Sequence, residues 1–581
     1  MPVPWSAQHA RASDRARRPL PVTTVCGGAA QRPQGRSPPG YRVACVRVAL
    51  LALCAVLLEV GWLALWPISV ALSHSARFTA AYLEEHPLAQ MPLSWGRALL
   101  PGVPSAPLAE PLGAAGYVAP ATALALLMLG LAVVYVLALV LLARGAGRLP
   151  LAIWIVAVGA LVFQATCLLL PGLFSQDVFS YIAYGRLAAV HNLNPYVWPP
   201  SVVPRDPSLA WVAHAWQSYA SPYGPLWVDV QAGMARLTAD LSIADQALAY
   251  RALANALLLA NLGLLWALAG RLTRLDRAQR VTALAARAWN PLTLFEVAGN
   301  AHNDVLMVSF TLLGLLLLAR SGSGLLSSAS LTLGALVKYL SGIGLVWLCA
   351  AVAARATGWQ ARLTRAAMVV LVGSVLLLAL SAQWLELPDS LTPLVDETAG
   401  AGYVNSLPDS LARLVADRLA APLELTRTLE RLLVLGGVLV YVVWEWRRVW
   451  SDATAAAVAR ALCRSTLVYV LAVSTSVQTW YFCLPVSVAV ALGCRWRWAQ
   501  LALAYSALAL PALYLSYYLR AATPWWVYVA YGLIPLAVLV PGLVRARARA
   551  HVPAAELIGD EEQPGSPTGP RRGTSGVSSQ V

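Results

Sequence analysis

Long apolar runs alternate with short polar segments along most of the chain, from about residue 43 to residue 545. A helix needs about 20 apolar residues to cross a bilayer, and runs of roughly that length recur throughout this region. The pattern predicts an all-α polytopic membrane protein with about fourteen spans, in a range of about twelve to fourteen, and no internal repeat. The predicted spans centre near residues 45–70, 118–142, 150–170, 246–269, 281–297, 304–319, 325–339, 340–354, 367–386, 428–446, 459–475, 480–494, 498–517 and 525–544.

Charges in the polar segments predict the side of the membrane on which each loop lies. Loops that remain in the cytoplasm are enriched in arginine and lysine. The first tail contains four arginines between residues 11 and 18, so we expect it inside. Counting spans from there, every later loop expected inside is basic, which supports the count. These loops contain Arg144 and Arg148; Arg271, Arg274, Arg277 and Arg280; Arg320; Arg355, Arg362 and Arg365; Arg447, Arg448 and Arg460; Arg495 and Arg497; and Arg545, Arg547 and Arg549.

The same count places both chain termini in the cytoplasm and three long loops, 73–117, 171–245 and 387–427, on the outer face. The loops expected outside carry most of the acidic side chains between the spans. These acids include Glu84, Glu85, Asp177, Asp206, Asp304, Asp389, Asp396, Glu397 and Asp409.

Composition supports the membrane assignment. Hydrophobic residues make up 59% of the 581 residues and charged residues 12%, whereas soluble domains are about 45–50% apolar and about 25% charged. We interpret residues 43–545 as one multi-span domain between two cytoplasmic tails, 1–42 and 546–581. Both tails are rich in Pro, Gly, Ser and Arg and are expected to be disordered, and the first is basic. The net charge of +15 does not indicate nucleic acid, because the arginines lie in separate short clusters.

The eight cysteines form no CxxC pair, and most lie inside apolar runs. That distribution favours small apolar packing residues over a metal or redox motif.

One polar stretch follows the third apolar run. "DVFSYIAYGRLAAV" (177–190) has apolar residues at roughly helical spacing and is followed by "NLNP". We predict an amphipathic helix lying along the outer membrane surface.

Four polar islands interrupt the apolar chain: "SQD" (175–177), "GNAHND" (299–304), "VKY" (337–339) and "QTWY" (478–481). In the predicted topology all four fall at the outer ends of spans. Polar groups near hydrocarbon are costly and usually functional. Four of them on one face suggest a single outward-facing site.

Asp177 is the candidate general base of that site. A base for a sugar hydroxyl must be an ionised carboxylate within hydrogen-bond reach of it. The alternative is that Asp177 caps the helix that follows, and the two roles are compatible.

The "HND" segment places His302, Asn303 and Asp304 at a turn between two spans. These residues are candidates for holding sugar hydroxyls or orienting the base. Ordinary turn chemistry is the alternative. A metal site is also open, although two potential ligands are a weak metal signature.

Lys338 is the only lysine among 42 basic residues, and Tyr339 follows it. A compact ammonium suits a phosphate as a point charge. The alternative is a lysine that extends from the interface towards water. Arg186 is a second phosphate candidate, with an ordinary surface charge as its alternative.

"QTWY" places Gln478, Trp480 and Tyr481 at the outer interface, where they are candidates for substrate contact. Trp and Tyr are enriched in interfacial belts in any case. "SPYGPLW" (221–227) is predicted to be a rigid turn, and a structural role is favoured for its Tyr223 and Trp227 over stacking on a sugar.

In this order the motifs resemble a known family. "QDVFSYIAYGRLAAVHNLNPY", "SPYGPLW", "GNAHNDVLM", "LGALVKY" and "QTWYFCLP" are similar to segments of bacterial polyprenyl-phosphate-mannose-dependent mannosyltransferases. These include the actinobacterial α-1,6-mannosyltransferases, within the GT-C membrane glycosyltransferases. The resemblance spans residues from about 150 to about 490, and the ordered set is more specific than any single motif.

The resemblance implies a GT-C-like fold with juxtamembrane helices and an active site on the outer face. It implies a polyprenyl-phosphate sugar donor, a glycan or glycolipid acceptor, and transfer of mannose or another hexose with inversion. Carried over, the base is Asp177, and His302, Asp304 and Lys338 are site residues. No cofactor is expected beyond the lipid-linked donor, and a divalent metal is left open. No GxxxxGK[ST] loop is found.

One departure leaves a second candidate base. The simplest GT-C pattern places the acid in the first outer loop, which here contains "YLEEHP" with Glu84 and Glu85. We interpret the first two spans as an N-terminal addition, because the ordered motifs begin only at residue 174.

Two other function classes compete with the enzyme. A lipid or lipid-linked sugar flippase is the main alternative, although transporters usually bind near the bilayer midplane, often between inverted repeats. A purely structural membrane subunit is the third, and it leaves four converging polar islands unexplained.

Overall fold

The computed structural model describes residues 39–387, 389 and 406–520, and these residues form helices and no strand. In chain order the helices are α1 Pro39–Ala71, α2 Ala76–Glu85, α3 Gln90–Leu99, α4 Val118–Ala143, α5 Pro150–Leu168, α6 Asp177–Ala189, α7 Pro225–Leu237, α8 Ile243–Leu272, α9 Arg277–Ala288, α10 Pro291–Thr293, α11 Asp304–Ser321, α12 Gly324–Ala335, α13 Ile343–Ala354, α14 Trp359–Ser381, α15 Leu407–Leu419, α16 Leu423–Asp452, α17 Ala455–Val468, α18 Cys483–Leu492 and α19 Arg497–Leu519. A π-helical turn, Leu294–Gly299, continues α10.

Eight helices in this described part are long and apolar enough to cross a membrane. They are Cys45–Ala71, Ala115–Ala143, Pro150–Leu168, Ile243–Leu272, Asp304–Ser321, Trp359–Trp384, Ala455–Val473 and Arg497–Leu519. Each coincides with a predicted span. The prediction of an all-α polytopic membrane protein is therefore confirmed.

The remaining predicted spans are shorter or differently built. Apolar helices of 10–17 residues lie at Gly324–Ala335, Tyr339–Ala354 and Thr479–Leu492. The predicted span 281–297 is divided among α9, α10 and the π-helical turn, and 428–446 lies within α16. The span predicted at 525–544, the tail 546–581 and residues 1–38 of the first tail lie outside the described residues.

The prediction of a helix at the opening motif is confirmed, but its placement on the surface is wrong. Ten of the thirteen residues of α6 are buried. The face expected to meet water instead packs against α7, and Tyr184 donates a hydrogen bond to the Tyr219 carbonyl at 2.9 Å. Gly185 permits this approach, because a Cβ there would lie 2.3 Å from the Gln231 carbonyl oxygen. The loop predicted at 171–245 therefore contains a packed layer formed by α6 and α7.

A buried arginine fixes the segment that joins α5 to α6. Arg251 of α8 donates to the carbonyls of Leu168, Leu170 and Gly172 at 3.2, 2.6 and 2.9 Å. Gly172 also touches α1 directly, since a Cβ there would lie 1.8 Å from the Ser69 carbonyl oxygen. The start of α6 is thus held from two sides.

Turns predicted to be cytoplasmic contact one another in pairs. Thr273 donates to the Leu492 carbonyl at 3.2 Å, and Arg355 donates to the Ala453 carbonyl at 2.7 Å. These contacts join the turn after α8 to the one after α18, and the turn after α13 to the one after α16. Each contact joins two turns that are predicted to lie on the same side of the membrane.

The described cysteines, Cys45, Cys54, Cys167, Cys349, Cys463, Cys483 and Cys494, are all unpaired. This agrees with their interpretation as packing residues.

Candidate active site

Asp177 is the first residue of α6, and its side chain is 27% exposed. The residue before the helix, Gln176, occupies the N-cap position and makes no side-chain capping bond. The Asp177 carboxylate therefore lies in the first helical turn, where the helix dipole favours a negative charge. Its backbone amide donates to the Ser175 hydroxyl at 3.3 Å, which helps to fix the turn.

His302 lies beside this carboxylate. Its Nδ1 is 3.6 Å from Asp177 Oδ2, and its Nε2 is 3.3 Å from Oε2 of Glu296. The imidazole is buried and stacks on the indole of Trp480, with ring centroids 3.8 Å apart and planes inclined by 20°. One histidine therefore connects a partly exposed acid to a fully buried one.

An irregular backbone places His302 there. The π-helical turn Leu294–Gly299 widens the helix, and Ala301 then adopts a left-handed conformation with φ of 60°. The His302 amide closes the turn by donating to the Glu296 carbonyl at 3.2 Å. A left-handed non-glycine residue costs roughly 1–2 kcal/mol, and such strain clusters at functional sites.

Glu296 is a site residue that the sequence reasoning missed. It lies in the apolar stretch "LFEVAG" (294–299), most of which falls within the predicted span 281–297. The side chain is fully buried and accepts hydrogen bonds from the Thr479 hydroxyl, from Asn300 Nδ2 at 3.4 Å and from the Tyr514 hydroxyl at 3.5 Å. A lone acid inside an apolar run was the available indication, because such residues are costly unless they have a function.

A second charged pair lies near Trp480. Lys338 Nζ is 2.9 Å from Asp304 Oδ2, with the Asp304 side chain fully buried and the Lys338 side chain 16% exposed. The ammonium also lies 4.8 Å from the ring centroid of Tyr481 and 5.9 Å from that of Trp480. It faces a buried acid and two rings rather than open water.

Three further predicted residues border these pairs. Asn303 is buried beside His302. Tyr339 is 58% exposed, and its hydroxyl lies 2.7 Å from that of Tyr469. Gln478 is the N-cap residue of the turn Thr479–Phe482, which carries the two aromatic rings of the site.

Arg186 is not brought to this group. It lies nine residues beyond Asp177 on α6, about 13 Å along the axis at ~1.5 Å per residue. Its Nε bonds Asp206 Oδ1 at 3.0 Å, and His191 Nε2 lies 2.6 Å from Asp206 Oδ2. Burial opposes ionisation of Asp206, but hydrogen bonds from Arg186, His191 and Ser208 outweigh it and lower the pKa of that carboxyl. The charge of Arg186 is therefore paired with that of Asp206, away from the candidate site.

The acids of the first outer loop also lie elsewhere. Glu84 and Glu85 are exposed, and Glu85 accepts a hydrogen bond from the Ser242 hydroxyl at 2.7 Å. Within residues 39–387, 389 and 406–520, only Glu85, His86 and Asp245 offer three potential metal-ligand atoms within 4.8 Å of one another.

Tyr223 and Trp227 pack inside the protein. Their rings lie 5.1 Å and 5.2 Å from the ring of Tyr181, edge to face in both cases, and Trp227 is buried. The structural interpretation of "SPYGPLW" agrees with these contacts.

Comparison with known proteins shows similarity to α-(1→6)-mannopyranosyltransferases. Residues 88–355 match the model of the N-terminal domain of the α-(1→6)-mannopyranosyltransferase family. A protein of Mycobacterium tuberculosis named α-(1→6)-mannopyranosyltransferase A is 28% identical over 347 residues, which cover 57% of this chain and 64% of the relative. The α-(1→6)-mannopyranosyltransferase B of Corynebacterium glutamicum is 32% identical over 153 residues, 26% of this chain and 24% of the relative.

The chain thus spans less than two thirds of the length of these curated relatives. Asp177, His302, Asp304 and Lys338 fall inside the region matched by the family model, whereas Trp480 and Tyr481 lie beyond it. Through residues 88–355, the chain is similar to the α-(1→6)-mannopyranosyltransferase family.

Proposed function

We propose that this protein is a membrane glycosyltransferase that moves a mannosyl group from a polyprenyl-phosphate donor to a glycan or glycolipid of the cell envelope. The observation that carries the proposal is the meeting of Asp177, His302, Asp304 and Lys338 around the ring of Trp480. The five residues come from four separate parts of the chain, and the matched relatives are named mannopyranosyltransferases.

Each charge has a role in such a transfer. Asp177 is the most exposed acid of the group and accepts the proton of the acceptor hydroxyl. An electron pair on the deprotonated oxygen attacks the anomeric carbon of the donor sugar from the face opposite the phosphate. The bond from that carbon to the phosphate oxygen breaks, and its electron pair leaves with the polyprenyl phosphate. The product is therefore inverted at the anomeric carbon.

The leaving group requires positive charge. Lys338 is the partly exposed cation of the group and presents a compact ammonium. It binds the donor phosphate while remaining close to Asp304. Trp480 and Tyr481 provide flat surfaces for the sugar, since aromatic rings present broad apolar faces.

The reaction takes place on the outer face in this proposal. Arginine-rich turns contact one another in pairs, and the positive-inside rule supports a cytoplasmic side for them and an outer side for the opposite ends of the helices. A lipid-linked donor suits a site at the membrane edge, because the polyprenyl chain remains in the bilayer while the phosphate and sugar reach the polar side.

The test is transfer of labelled mannose from polyprenyl-phosphate-mannose to an envelope acceptor by membranes that contain the protein. Asp177→Asn keeps the shape of the side chain but removes the base, so we expect transfer to fall by about 10²-fold or more. The matched control is Asp452→Asn, which removes an exposed carboxylate paired with Arg460. That variant is expected to retain activity.

Near-normal transfer by Asp177→Asn contradicts the assignment of the base. Movement of the lipid-linked sugar across the bilayer without loss of its label to an acceptor identifies a flippase instead.

A further inference from the structure

Both ring nitrogens of the buried His302 face carboxylate oxygens. Nδ1 lies 3.6 Å from Asp177 and Nε2 lies 3.3 Å from Glu296. Within the described part of the chain, neither nitrogen makes a hydrogen bond, either to these carboxylates or to any other group. A neutral imidazole has one N–H donor and one acceptor nitrogen, so it can satisfy only one ionised carboxylate. An imidazolium has two donors and satisfies both.

The surroundings of Glu296 favour an ionised carboxylate. Thr479, Asn300 and Tyr514 all direct donor groups at its two oxygens. The Asn300 amide is oriented independently, because its Oδ1 accepts the Phe174 amide at 3.0 Å and therefore leaves Nδ2 towards Glu296. A protonated carboxyl would place its own hydrogen among these donors.

The stacking partner also favours a cationic ring. The Trp480 indole lies parallel to the imidazole at 3.8 Å between centroids. A cation over an indole face is stabilised by the ring quadrupole, more strongly when the pair is removed from water. His302 is fully buried, so this condition is met.

We propose that Glu296 is a positioning residue that holds His302 as an imidazolium between two carboxylates, and that His302 in turn orients the Asp177 carboxylate and keeps it charged. The inference rests on the proposed function for its catalytic consequence, although the charge state of His302 is measurable without any reaction. The three residues together then carry one net negative charge.

Several other ionisable groups lie around Asp177, His302 and Glu296. Asp304 and Lys338 form an ion pair, and Lys338 Nζ lies 5.9 Å from the ring centroid of Trp480. Tyr181 of α6 interacts with the charges of Asp177 and Asp304. On the C-terminal side, Cys483 interacts with the charge of Glu296. None of these neighbours forms an ion pair with His302, so Glu296 is the acid that faces its second nitrogen.

The first experiment measures protonation directly. In magic-angle-spinning NMR of the full-length protein in lipid bilayers, labelled with ¹⁵N-histidine, we expect both His302 nitrogens at imidazolium shifts at neutral pH. The His302 signals are identified by their absence from His302→Asn. In Glu296→Gln, His302 is expected to become neutral. A neutral His302 in the wild-type protein overturns the inference, even if Glu296→Gln does not fold.

The second experiment follows transfer of labelled mannose. Glu296→Gln should lower kcat by about tenfold or more, equivalent to ~1.4 kcal/mol or more, and leave donor KM nearly unchanged. It should also change the pH–rate profile, because Asp177 then lacks the imidazolium beside it. Glu296→Asp should recover part of kcat. A purely structural role lowers the amount of folded enzyme without changing the profile.

The matched control is Glu59→Gln. Glu59 also lies in a membrane-spanning helix, α1, and accepts a hydrogen bond from a threonine, Thr166, at 2.6 Å. It has no contact with His302, so its substitution should change neither the His302 signals nor the profile. An unchanged profile in a well-folded Glu296→Gln overturns the positioning role. A wild-type protein that transfers no mannose contradicts the proposed function, and the NMR result then stands alone.

Discussion

Lys338 and Asp304 form their ion pair where the acid has no access to water. Breaking a buried pair by removing one partner leaves an uncompensated charge, at a cost of about 3–5 kcal/mol. A substitution of Lys338 therefore acts on stability as well as on donor binding. The two effects must be separated before the phosphate role can be judged.

A comparison of three variants separates them. Lys338→Ala should weaken donor use strongly and lower the melting temperature, because Asp304 is left buried and unpaired. The double variant Lys338→Ala/Asp304→Asn should recover stability but not donor use. Lys338→Arg should recover only part of donor use, since a larger planar guanidinium must fit the same place.

The measurements are donor KM at steady state and thermal unfolding in the same detergent. Full activity in Lys338→Ala would end the phosphate role.

At the scale of elements, the apolar pattern is sufficient to find the eight long apolar helices of the described chain. Runs of membrane length determine these helices with little help from packing. The pattern is not sufficient to place α6. Tyr181 and Tyr184 appear suited to a membrane surface in the sequence, yet both are buried in the packed layer with α7. Arg251 and Glu296 were overlooked for the same reason: each lies in an apolar run, and only the folded chain supplies its partners.

Gly172 provides a test of how the helices position the base. In Gly172→Ala the new Cβ would lie 1.8 Å from the Ser69 carbonyl oxygen, so the segment before Asp177 must move. We expect at least a tenfold loss of transfer, equivalent to ~1.4 kcal/mol in the barrier, with a lower melting temperature. The matched control is Gly130→Ala, because a Cβ at Gly130 meets no atom within 4 Å.

Since alanine favours a helix interior over glycine, Gly130→Ala should be neutral or slightly stabilising. Equal behaviour of the two variants would mean that contact between α1 and the start of α6 is unimportant.

At the scale of the whole molecule, two helices differ from the rest. Only 6% of the most apolar window of α14 is buried, compared with 39–67% in the other seven long apolar helices of the described chain. Helix α16 likewise buries only Thr426, Glu445 and Val449. Both therefore lie at the periphery, where their apolar side chains are expected to meet lipid. The candidate site lies among the better packed helices.

Topology is the prediction that belongs to this scale. The prediction that loop 387–427 lies outside concerns mainly residues outside the described part, but Leu387 is described and exposed. In a chain without its native cysteines, Leu387→Cys should react with an impermeant maleimide on intact cells. Ser451→Cys, at an exposed position in the last helical turn of α16 and near Arg447 and Arg448, should react only after lysis. The reverse pattern contradicts the orientation.

The ion pair of Lys338 has a chemical consequence. Because this is the only lysine in the chain, no other side chain offers a primary amine to acylating or carbonyl reagents. The fold places that amine at a partly exposed position, beside a buried carboxylate and two aromatic rings. All lysine chemistry of this protein, whether accidental damage or deliberate labelling, is therefore directed at its candidate active site.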